Sequence, residues 1–239
     1  MDGTSARDGP GTGGEAVSQV PPAEPAHLRP RAHPRFARAY VDLAPVADER
    51  GGRDHRRRLL AGLAGVVVEV GAGHGGNFAH YPPAVTSVVA VEPEPTLRDH
   101  ASAAAPHAPV PVRVLDGVAD ALPVADSSAD AVVFSLVLCS VRSQRSALRE
   151  ARRVLRPGGT LALYEHVRSS RPVLGILEDV VAPLWSRLAA GCHPNRDTLT
   201  AVTAEGFELR QVERFRFSPN RGMPRTEHLL AWAVRPGTA

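Results

Sequence analysis

Short apolar runs alternate with longer amphipathic stretches through most of the chain. Residues 64–68, 88–91, 110–115, 131–134 and 160–164 are dominated by valine, alanine and leucine, as expected of strands buried on both faces. Before and between them, residues 55–63, 97–105 and 143–155 carry apolar side chains at helical spacing. Ser143 is placed to cap the last of these, Leu148, Ala151 and Leu155 share one face of it, and Pro157-Gly158-Gly159 stops it. Another helix is expected directly after the glycines at 71–76. Strand and helix in alternation predict a doubly wound α/β sheet with ligands at the carboxyl ends of its strands. Residues 34–44 put Phe36, Tyr40 and Leu43 on one side, as a helix over that edge would. Residues 172–190 space Val173, Leu177, Val180, Val181, Leu184 and Leu188 helically, interrupted by Pro183, and read as an inserted cap. Residues 208–215 and 228–234 supply the last strands.

Composition bounds this picture. At 239 residues and 43% hydrophobic content, the chain buries one sizeable core and leaves a tail. Residues 1–33, rich in Gly, Pro and Ala without apolar periodicity, are expected to be disordered, and 34–239 to form one catalytic domain with the cap at about 171–197. The net charge of +3 comes with 28 arginines and no lysine. A single isoleucine points to GC-rich coding as the reason. Only Arg56-Arg57-Arg58 forms a run, so nucleic-acid binding is not expected. Cys139 and Cys192 stand in no metal-ligand spacing, which predicts neither a metal site nor a structural disulfide. With no signal peptide and no apolar run near 18 residues, the expected place is the cytoplasm, without a membrane anchor.

The segment Glu69-Val70-Gly71-Ala72-Gly73-His74-Gly75-Gly76-Asn77 runs from the first predicted strand into the helix expected after the glycines, and Glu92 closes the second strand. Glycines there let the backbone turn tightly and approach a ligand, and an acid roughly 20 residues on suits ribose hydroxyls. Gly71, Gly73 and Gly76 also fit a dinucleotide fingerprint. Glu69, just before the loop, would repel a pyrophosphate and favours a ligand carrying an ammonium group, such as S-adenosylmethionine.

Leu155-Arg156-Pro157-Gly158-Gly159-Thr160-Leu161, Asn77-Phe78 with Tyr81-Pro82-Pro83, Leu136-Val137-Leu138-Cys139-Ser140-Val141, Glu165-His166-Val167, and Trp185 with Gly191-Cys192 carry a family resemblance. Over residues 35–234 the chain resembles class I S-adenosylmethionine-dependent methyltransferases, and within them the methyltransferase-like thiol methyltransferases and their bacterial relatives. The resemblance implies a seven-stranded Rossmann-like sheet with an antiparallel edge pair and an inserted helical cap. It implies a cofactor site at Tyr40, Glu69, Gly71, Ala72, Gly73, Asn77, Glu92, Pro93, Val118, Ala119 and Ser135. Ser135 would offer its carbonyl to the methionine ammonium. Animal members carry a hydrophobic N-terminal anchor, whereas residues 1–33 here are rich in Gly, Pro, Ser and Ala, so membrane residence is not expected to carry over. Many relatives have an acid where Val118 stands, so adenine would meet backbone and apolar groups.

Glu165 and His166, at the end of the fifth strand, are the candidate catalytic pair, and His166 has the intrinsic pKa of a base. The alternatives are that Glu165 anchors the cap or shapes the pocket and that His166 orients a loop. Tyr40 and Trp185 are each either cavity wall or core. Cys139 reads as a small buried hydrophobe, whereas Cys192-His193 could face the acceptor. His74 reads as an exposed loop position, Asp130 as a turn residue, and Asp116 and Asp120 as caps. The function expected is methylation of a small molecule, a thiol first. O-, N- or C-methylation, a nicotinamide-dependent oxidoreductase and a non-catalytic cofactor-binding protein remain alternatives.

Overall fold

A computed structural model describes residues 33–189 and 191–237; the tail expected at 1–33 lies outside them except for its last residue. Seven strands form one sheet: β1 (Gly65–Val70), β2 (Val85–Val91), β3 (Val112–Leu115), β4 (Ala129–Ser135), β5 (Leu155–His166), β6 (Glu208–Phe217) and β7 (Thr226–Val234), in the spatial order β3-β2-β1-β4-β5-β7-β6. The first five are parallel, and β7 runs antiparallel to both β5 and β6. Because β1, β2 and β4 each lie between two other strands and under helices on both faces, their valine runs disappear into two cores, one on each face.

The helices are α1 (Pro34–Ala47), α2 (Arg53–Leu60), α3 (Pro95–Ala104), α4 (Gln144–Val154), α5 (Pro172–Leu188) and α6 (Thr198–Ala204). The Ser143 side chain caps α4 by accepting from the Ser146 amide at 3.1 Å, and Ala147, Leu148, Ala151 and Val154 are buried. Glu94 caps α3 in the same way through the Leu97 amide at 2.8 Å, with Pro95 preset for the first turn.

Several local expectations change. The chain from Gly73 to Pro82 leaves room only for turns and a short 3₁₀ segment, Phe78–His80, so no α-helix follows the glycine loop. Leu155 already pairs with Ala129, so α4 ends at Val154 and β5 begins before Pro157-Gly158-Gly159, which bulges outward with Gly158 at φ 80°. Asp130 is a strand residue whose carboxylate accepts the Val66 amide at 2.7 Å and pairs with Arg156 at 2.6 Å. Helix α5 runs through Pro183 without breaking, and Val173, Ile176, Val180 and Leu188 lie exposed on it. Helix α6, capped by Asp197, went unforeseen because its threonine-rich sequence reads as strand or loop. No described helix is long and apolar enough to cross a membrane.

Replacing Ser143 with alanine should cost about 1 kcal/mol through the lost cap, which lowers Tm by about 2–4 °C for a chain of this size. Calorimetric melting of the two proteins measures this, and an unchanged Tm rejects the cap as a stabilising contact.

Candidate active site

The carboxyl ends of β1, β2 and β4 open into a cavity of about 320 Å³ roofed by Phe36 and Tyr40 of α1. Gly71 and Gly73, at φ 68° and 58°, hold a backbone that only glycine adopts without strain. A Cβ at Gly71 would sit 2.6 Å from Val137 Cγ2, so this turn closes directly onto the segment after β4. Glu92 locks the loop from the far side: one carboxylate oxygen accepts the Gly73 amide at 2.8 Å and the other the Glu94 amide at 2.9 Å. Each oxygen keeps a second lone pair. Burial raises the Glu92 pKa, and those two amides oppose the rise.

Tyr40, Gly71, Gly73, Glu92, Pro93, Val118, Ala119 and Ser135 all line the cavity, together with Leu97, Asp120 and Arg142. Glu69, Ala72 and Asn77 do not. Glu69 is buried behind the loop, accepting from Asn77 Nδ2 at 2.8 Å and the Tyr81 hydroxyl at 2.7 Å, while Arg56 donates to Asn77 Oδ1 at 3.2 Å. Its role in the fold is to brace the loop, and direct contact with a ligand ammonium is not what this geometry provides. Burial lifts its pKa to about 7 against those two hydrogen bonds.

The candidate catalytic pair is also relocated. Leu136 takes a left-handed turn, φ 62°, at the end of β4, and the next three amides converge on Glu165. One Glu165 oxygen accepts from Val137 at 3.0 Å and Leu138 at 2.9 Å, the other from Cys139 at 3.1 Å. Fully buried, with both oxygens engaged by amides, Glu165 holds the turn that forms the cavity wall. His166 is buried as well, and burial depresses its pKa to about 4. It stacks on His228 with ring centroids 4.8 Å apart, and its Nδ1 lies 3.6 Å from Cys192 Sγ. Neither side chain reaches the cavity lining.

Other residues moved from their sequence readings. His74 is half-buried, edge-on to Tyr40 at 5.5 Å, with its pKa depressed to about 4 by burial. Asp120, expected to cap a turn, presents a buried oxygen with no hydrogen-bond partner in the cavity wall. The acid was visible in the sequence as the last residue of Gly117-Val118-Ala119-Asp120, two places beyond Val118. The Ser135 hydroxyl is likewise buried without a partner at the cavity edge.

The cradle decides between the two nucleotide readings. A dinucleotide pyrophosphate rests on the N-terminus of the helix after its glycine loop, and here no such helix exists. An adenosine with a cationic, non-phosphate tail needs the glycine turn, an acid for the ribose and an apolar slot, and all three line one cavity. A methyltransferase-domain family profile matches residues 68–163. The chain is 35% identical over 182 residues to thiol S-methyltransferase TMT1B from Homo sapiens, covering 74% of each chain. It is 34% identical to the Rattus norvegicus protein of that name, covering 71% of this chain and 70% of that one. The chain belongs to the thiol S-methyltransferase family of S-adenosylmethionine-dependent methyltransferases. In fold it superimposes on an S-adenosylmethionine-dependent methyltransferase from Thermotoga maritima with a TM-score of 0.65 at 22% identity, over 84% of this chain and 96% of that one. One from Mesorhizobium loti gives 0.59 at 21%, over 79% and 100%.

Two measurements probe this site. Glu92→Ala should weaken S-adenosylhomocysteine binding by on the order of 1.5–3 kcal/mol, the scale of a charge-assisted hydrogen bond; calorimetric titration giving parental affinity would remove Glu92 from the site. Glu69 has a folded pKa of about 7 against an ordinary 4.5, so the folded state holds a proton the unfolded chain has lost. Stability therefore falls as pH rises through that window and is level above it. In denaturant titrations Glu69→Gln should gain about 2–3 kcal/mol relative to the parent between about pH 5 and about pH 8, and a relative loss contradicts the assignment.

Proposed function

We propose that this methyltransferase transfers the methyl group of S-adenosylmethionine to small lipophilic thiols. The observation that carries the reading is identity of about a third, over nearly three-quarters of the chain, with proteins named thiol S-methyltransferase. Gly71 and Gly73 give the backbone approach, and Glu92 accepts from the ribose hydroxyls. Leu97, Val118 and Ala119 flank the adenine, with the free Asp120 oxygen available to its amino group. Pro93 closes that side. The Ser135 carbonyl end faces the methionine ammonium, and Tyr40 covers it. When bound, the cofactor supplies an electrophilic methyl carbon on a sulfonium.

The chain's own task is then to align an acceptor with that carbon and keep water out. With Glu165 holding backbone amides and His166 neutral, neither of the two candidate acid–base residues lines the cavity. A thiol suits such a site, because its pKa near 8.5 leaves a few per cent as thiolate at neutral pH. An alcohol would require a base to activate it.

The pH profile tests this directly. For an alkyl thiol, kcat/KM should rise roughly tenfold per pH unit until the acceptor's own pKa, with the same shape in His166→Ala even if its rate is lower. A deficit in that variant which disappears at high pH would restore His166 as base. Absence of S-methyl product from every thiol screened, with S-adenosylmethionine bound, would sink the acceptor assignment.

A further inference from the structure

The chain's two cysteines come from distant segments, yet the fold brings them together. The His193 amide donates to the Cys139 carbonyl at 2.7 Å, and Gly191, at φ 88°, passes so near the Ser140 carbonyl that a Cβ there would lie 3.1 Å from it. The two cysteines therefore lie on adjoining segments, each a free thiol whose titration is perturbed by the other. No described group of three or more His, Cys, Asp or Glu side chains is arranged to hold a metal ion, so a metal does not explain the pairing.

Their environments differ in a way that gives each sulfur its own chemistry. Cys139 is 2% exposed, sealed beneath the turn that Glu165 holds. Cys192 is half-buried, beside His166 Nδ1 at 3.6 Å and near the Trp185 ring. The neighbouring Cys139 thiol pulls the Cys192 pKa down, opposed by burial and the Glu165 charge. The half-buried Arg196 guanidinium adds positive charge close to both sulfurs, and its Nη1 donates to the Leu138 carbonyl at 2.5 Å. An accessible, anion-stabilised thiol backed by a buried one is the arrangement that thiol–disulfide exchange requires.

We propose that Cys139 and Cys192 form a redox-active dithiol site that reduces low-molecular-weight disulfides. The Cys192 thiolate attacks one sulfur of R–S–S–R, forming a Cys192–S–S–R bond and expelling RS⁻. Cys139 then attacks the Cys192 sulfur, its proton passing to the departing thiolates, and a second thiol leaves. The net change is one disulfide reduced to two thiols as the cysteine pair is oxidised to a Cys139–Cys192 disulfide. Low-molecular-weight thiols or dithiols reset the pair. Ser140, adjacent to Cys139, lines the cavity, so thiols are released beside the methyl-transfer site. That link rests on the thiol reading above, whereas the exchange does not.

The reduced full chain treated with the chromogenic disulfide dithiobis-nitrobenzoate tests the exchange with no methyl transfer involved. The parent should release both halves of the reagent, retain no label by intact mass, and show a Cys139–Cys192 cross-link in a non-reducing peptide map. Cys139→Ser should release one half and keep the other on Cys192. Cys192→Ser should react on the order of tenfold more slowly or worse. A parent that retains label on either cysteine or lacks the cross-link overturns the proposal without recourse to the variants, as does a Cys192→Ser protein that reacts at the parental rate.

Discussion

Three successive backbone amides pointing at one buried carboxylate set the shape of this active site. After β4 the chain reverses through a left-handed Leu136, which leaves the amides of Val137, Leu138 and Cys139 without strand partners in the protein interior. Unsatisfied, each would cost roughly 1–3 kcal/mol. Glu165, reaching across from the adjacent strand, accepts all three. That contact fixes Val137 against Gly71, Ser140 in the cavity wall and Cys139 against Cys192, so cofactor loop, cavity and thiol pair share one anchor. A carboxylate is suited to the task because its two oxygens accept several donors at once.

A second buried acid does the corresponding work under the glycine loop. Glu69 binds Asn77 and Tyr81, and Asn77 passes the connection to Arg56 of α2. The loop thus needs no following α-helix to hold it. Without that helix there is also no N-terminal dipole to attract phosphate, so the bracing and the choice of a cofactor without phosphates are two consequences of one local structure. Glu92 completes the cradle from the opposite side by tying the Gly73 amide to the end of β2.

The chemistry depends on what these acids do not do. Both candidate catalytic side chains are engaged away from the cavity, one with amides and the other with Cys192 and His228. Methyl transfer from a good leaving group depends mainly on alignment, and a cavity built from backbone turns and apolar walls suits that.

Sequence by itself determined the parallel sheet, because runs such as Val66-Val67-Val68 and Val88-Val89-Ala90-Val91 are too apolar and β-branched to be anything but doubly buried strands. It also determined the strand edge at which the cavity opens, since Gly71 and Gly73 leave few conformational alternatives and Glu92 follows the neighbouring strand. These are local signals with a fixed period or a fixed backbone demand. The partners of buried polar groups were decided only by tertiary structure. Nothing near Glu165 in the chain says that its oxygens meet amides rather than substrate, nothing near Glu69 names Tyr81, and no spacing rule links Cys139 with Cys192. Charge, hydrogen bonding and thiol reactivity depend on which groups meet across the fold, and that pairing exists only once the strands are in register.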